Sequence, residues 1–70
     1  MISEHPYIVD RWYLLNGGDL RKQRFRYSTQ EDAEHMCTVY LEMSDTTRIR
    51  LSKNSKYGRP TVIKVWEKGM

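Results

Sequence analysis

The stretch Tyr7–Tyr27, YIVDRWYLLNGGDLRKQRFRY, decides the fold. Its first part, Tyr7–Leu15, is rich in aromatic and β-branched side chains, which fit a pleated, half-buried surface, so it reads as a strand. Asn16-Gly17-Gly18-Asp19 follows. An Asn-Gly pair suits a type I′ turn, in which both central residues take positive φ. Leu20–Tyr27 is then expected to return as a second, antiparallel strand.

Beyond this hairpin, Ser28-Thr29-Gln30-Glu31 opens a helix. Ser28 and Glu31 have the spacing of a capping box, in which each side chain satisfies a free N–H of the first turn. Glu31, Asp32 and Glu34 suit the positive end of the helix dipole. Ala33, Met36, Cys37, Tyr40 and Leu41 recur at i, i+3, i+4, i+7 and i+8, an apolar stripe that Val39 and Met43 widen. Ser44-Asp45-Thr46 should end it, because these side chains compete for backbone hydrogen bonds. Thr47–Ser52 alternates, with Ile49 and Leu51 inward and Arg48 and Arg50 outward. Lys53–Pro60 reads as a polar loop and Thr61–Glu67 as the last strand. The expected fold is α+β, in the order β-β-α-β-β, with one helix on one face of an antiparallel sheet. The first and last strands carry apolar residues at both parities, as central strands or a covered second face would. Either Trp12 or Trp66 is compatible with a place beneath the helix.

Seventy residues make one domain, spanning 1–70, with flexible ends expected at 1–5 and 68–70. A chain this short buries only about 60% of its unfolded surface. A ligand cavity of about 300–1,000 Å³ would take most of such an interior, which favours the outer surface as the working part. Two tryptophans and five tyrosines argue against disorder. Cys37 is the only cysteine, so no intrachain disulfide exists and a reducing, cytoplasmic setting is expected. Met1–Pro6 lacks a basic segment followed by an apolar one, and no apolar run approaches the ~20 residues of a membrane helix. A soluble, intracellular protein is the expectation.

Charge is segregated. Ser28–Asp45 holds five of the nine acidic residues and no lysine or arginine, which leaves twelve basic and four acidic residues elsewhere. If the helix covers one face, Lys22, Arg24 and Arg26 on the second strand, with Arg48 and Arg50 on the third, project from the other. Lys64 is expected to join them, and Trp12 or Trp66 to sit among them. Such a face suits phosphates by charge and bases by stacking. Lys56, Tyr57 and Arg59, in the loop at the sheet end, would assist. The plain alternative is a solvated strand face whose charges discourage edge pairing. The reading needs the guanidinium groups to share the uncovered side and not be locked to the protein's own carboxylates.

Catalysis has little support. Cys37 lies within the apolar stripe, where a thiol acts as a small hydrophobe. His35 is two residues away, off that face, and His5, His35 and Cys37 lack zinc-site spacing. Neither a catalytic residue nor a cofactor is expected.

No family motif is present. In layout alone, the hairpin and capped helix resemble the arm-type DNA-binding domains at the N-termini of tyrosine recombinases. The whole β-β-α-β-β plan at this length is similar to small virus-encoded proteins that block bacterial defence or transcription machinery. The expected function is therefore a non-enzymatic binding protein engaging a polyanion, either nucleic acid or an acidic protein surface. The alternative is a phage-type inhibitor or adaptor that blocks a larger partner through aromatic hot spots such as Trp12, Tyr57 or Trp66. A homodimer joined through edge strands or sheet faces is a further reading.

Overall fold

The computed structural model describes residues 5–55 and 58–68. Its elements are β1 (Tyr7–Leu14), β2 (Leu20–Tyr27), α1 (Gln30–Glu42), β3 (Thr46–Ser55) and β4 (Gly58–Glu67). The four strands form one antiparallel sheet in the order β2-β1-β3-β4, and α1 packs on one face, chiefly against β3. The protein is a small α+β domain.

The pleat sorts side chains by parity. Val9 on β1 pairs with Phe25 on β2 and Leu51 on β3, and these turn toward the helix. With Ile49, Ala33, Cys37 and Tyr40 they build the core, ringed by Tyr7, Tyr27, Met36, Leu41 and Trp66. Each buried aliphatic side chain stabilises by about 1.5–3 kcal/mol. Phe25 stacks on Tyr40 with centroids 4.8 Å apart, and the Tyr27 and Tyr40 hydroxyls lie 2.6 Å from each other. Trp66 pairs with Ile49 and is the tryptophan on the helix side, whereas Trp12 lies on the uncovered face.

The first turn differs from the type I′ expectation. Among the described residues before the helix only Gly18 has positive φ, at 87°. Gly18 N–H donates to Leu15 O at 2.8 Å and Leu15 N–H to Asp19 O at 2.9 Å. This is a three-residue loop closed by a left-handed glycine, the next most common hairpin connection.

The helix start also shifts by one residue. Thr29, not Ser28, is the N-cap, with its hydroxyl accepting from Asp32 N–H at 3.2 Å. The expected loop at 53–60 is mostly strand: Lys53 pairs with Thr61 and Ser55 with Gly58, so β3 and β4 form a long hairpin. Of the ends expected to be flexible, residues 1–4 and 69–70 lie outside the described residues, and Lys68 is bonded to the domain. Its Nζ donates to Leu41 O at 2.5 Å and Met43 O at 3.0 Å, satisfying carbonyls at the helix end, while its N–H bonds to Thr47 O at 2.8 Å.

Apolar residues at both parities have two causes. β1 is central, so Val9 and Ile8 are both buried, on opposite faces. β4 is an edge strand, and there Val62, Ile63 and Val65 are exposed.

Candidate polyanion-binding face

Strand order explains the gathering of the cations. β1 lies between β2 and β3, so each outward β1 residue has a neighbour on either side. Asp10 pairs with Arg24 and Arg50, Trp12 pairs with Lys22 and Arg48, and Ile8 pairs with Arg26 and Ser52. Five cations therefore flank the middle strand on the face that α1 leaves open.

Asp10 is the centre of the arrangement. It is 1% exposed, and its two carboxylate oxygens accept from Arg24 Nε and Arg50 Nη2, each at 2.9 Å. Lys22 Nζ is 3.9 Å from the same group. Burial pushes the Asp10 carboxyl upward, but the hydrogen bonds from Arg24 and Arg50 and the charges of Arg24 and Lys22 outweigh it. The group is held below the usual carboxylate range.

The arginines are thus partly engaged by the protein's own acids. Arg48 Nε also approaches Glu67 at 3.7 Å, beyond hydrogen-bonding range. These links reduce the surplus without cancelling it, because five cations meet two carboxylates. A guanidinium has five N–H groups, and Arg24 and Arg50 each donate one to Asp10, with side chains still 47% and 30% exposed. The buried carboxylate ties both guanidinium groups to the open face, and each side chain keeps part of its surface in solvent. Arg26 makes no ion pair among the described residues. The Nε–H groups of Arg48 and Arg50 are buried without an acceptor among the described residues, a cost of about 1–3 kcal/mol each.

Trp12 is crowded rather than open. Arg48, Arg50 and Lys22 lie over its ring at 5.0, 5.2 and 5.4 Å from the centroid. The expected base-stacking platform is already shared with three cations.

Other expected site residues separate. Lys64 pairs with Leu51 and Trp66 with Ile49, both core residues, so these two belong to the helix side, where Lys64 lies 5.0 Å over the Trp66 ring. The basic face does not include them. Arg59 does join it: with Asp10, Arg24, Arg50, Ser52, Pro60 and Val62 it lines an open depression of about 420 Å³. Lys56 and Tyr57 lie outside the described residues.

Sequence reasoning passed over Asp10 and Arg11. Asp10 shares the parity of Trp12, and an aspartate within a strand rich in aromatic and β-branched residues is unusual enough to be a signal. Arg11, also buried, donates to Thr46 Oγ1 at 2.8 Å, Gln23 Oε1 at 2.9 Å and Asp45 Oδ1 at 2.5 Å. It ties β1 to β2 and to the start of β3, a structural role.

Cys37 is fully buried, and burial with the nearby Glu34 charge pushes its thiol up to about 11. Among the described residues no group of three metal-ligating side chains occurs, and no helix is long and apolar enough to cross a membrane. No protein-family model, no curated protein and no solved structure matches this chain. The two likenesses in layout thus gain no counterpart.

Proposed function

We propose that the protein is a non-enzymatic binding module that engages a polyanion through the open sheet face. The observation that carries this reading is the placement of Lys22, Arg24 and Arg26 on β2 and Arg48 and Arg50 on β3, on either side of Asp10 and Trp12. Guanidinium groups held in fixed directions suit phosphate and carboxylate oxygens alike, because their paired N–H donors match both. With cations over Trp12, contact runs through charge rather than through an aromatic platform. Nucleic acid is the favoured polyanion, since its backbone repeats one charge type along a line that a patch several residues long can follow.

The test is anisotropy of a labelled single strand across about 50 to 200 mM salt. Arg26→Ala is the informative variant, because Arg26 belongs to the face and makes no ion pair among the described residues. Weaker binding and a shallower salt slope are expected, since fewer counterions are released. Unchanged affinity and slope would remove Arg26 from the contact. Absence of any salt-dependent binding by the unmodified protein would remove the proposal. An acidic protein partner is the outcome if nucleic acid fails to bind and a polyglutamate chain succeeds.

A further inference from the structure

The depression on the open face differs in character from the rest of the patch. Arg24, Arg50 and Arg59 line it together with Asp10, Ser52, Pro60 and Val62. Three guanidinium groups against one carboxylate leave two net positive charges there. Both oxygens of that carboxylate accept from Arg24 and Arg50, and the group is 1% exposed, so it orders the cations while lying beneath them. Arg59 makes no ion pair among the described residues. Beside these charges, Pro60 and the exposed Val62 supply an apolar lip.

A phosphomonoester carries about −1.5 to −2 charges at neutral pH, whereas a carboxylate or an internal phosphodiester carries one. We infer that the depression lined by Arg24, Arg50 and Arg59 binds a phosphomonoester: the terminal phosphate of a nucleic-acid strand or of a free nucleotide. The phosphate lies among the three guanidinium groups, and the attached sugar rests on Pro60 and Val62. About 420 Å³ holds such a unit and is roomy for a lone carboxylate. The inference rests on the polyanion reading and sharpens it: an end of the strand is preferred over its middle.

The experiment compares a short single strand bearing a 5′-phosphate with the same strand bearing a 5′-hydroxyl, label at the 3′ end, by fluorescence anisotropy. The phosphorylated strand should bind about tenfold more tightly, a charge-assisted contact's worth. Arg59→Ala should erase that difference, while Arg26→Ala, outside the depression, should weaken both strands and keep it. Competition with a nucleoside 5′-monophosphate and with inorganic phosphate assigns the source. Displacement of the strand by the mononucleotide alone at equal concentration places a free nucleotide in the site, and weaker displacement places a strand end there. Equal affinity for the two strands, with salt-dependent binding intact, overturns the phosphomonoester site and leaves the polyanion face standing. Failure of both strands to bind overturns the phosphomonoester site and nucleic acid as the polyanion, and failure of polyglutamate as well overturns the polyanion face.

Discussion

Asp10 Oδ2 and Arg50 Nη2 lie 2.9 Å apart across the β1–β3 ladder, on the sheet face away from the helix. The carboxylate is 1% exposed and the arginine side chain 30%. The pair is thus lopsided: the acid depends on its partner for solvation, whereas the base can turn to water. Arg50→Ala should cost about 2 kcal/mol, below the ~3–5 kcal/mol of a wholly buried pair because Arg24 still holds Asp10. Asp10→Asn removes the buried charge, so the double variant should be more stable than the sum of the single losses by about 1 kcal/mol. Urea midpoints of the four proteins measure this coupling. Additive losses would mean that the two side chains act independently.

The same carboxylate links stability to acid. Burial raises the Asp10 pKa, but the Arg24 and Arg50 hydrogen bonds and the nearby cations bring it below its ordinary value. In the unfolded chain it titrates near about 3.9. The unfolded state therefore binds the proton first as pH falls. Asp10's contribution is fully present above that unfolded value and is lost as pH drops through the lower folded value. Between pH 6 and pH 3 the natural protein should lose more stability than Asp10→Asn, by chemical denaturation at each pH. Parallel losses would show that other carboxylates carry the acid sensitivity.

Thr29 rather than Ser28 closes the helix N-terminus, through its hydroxyl on Asp32 N–H. Thr29→Ala should cost about 1 kcal/mol and Ser28→Ala less than about 0.5 kcal/mol. A thermal melt of each decides between the two caps. The reverse ranking would restore the capping box over Ser28 and Glu31.

What the sequence made legible followed from periodicity. Ile49 and Leu51 against Arg48 and Arg50, and the stripe from Ala33 to Leu41, report burial through spacing alone, and the helix and the outward arginines lie where spacing puts them. Strand order is not written in local spacing. That β1 lies between β2 and β3 is a long-range fact, and only that neighbourhood turns Asp10 into the partner of Arg24 and Arg50. Lys64 was misplaced because irregular pairing between Leu51/Ser52 and β4 shifts its register, and no residue type announces that shift. The polar stretch from Lys53 to Pro60 suggested a loop, yet an edge hairpin beyond the core can be polar and still complete its ladder.

The first turn offers the last test, because two adjacent glycines there have different duties. Gly18 has φ of 87°, whereas Gly17 does not have positive φ, and a Cβ at either would meet nothing within 4 Å. Crowding therefore drops out and backbone conformation alone distinguishes them. Alanine at Gly18 must take the left-handed region, at about 1–2 kcal/mol. Alanine at Gly17 should be neutral or slightly stabilising, because it restricts the unfolded chain without straining the folded one. A type I′ turn over Asn16 and Gly17 would invert this order, since Gly17 would then need positive φ. Urea unfolding of Gly17→Ala and Gly18→Ala reads the difference directly, and a larger loss at Gly17 would refute the three-residue loop.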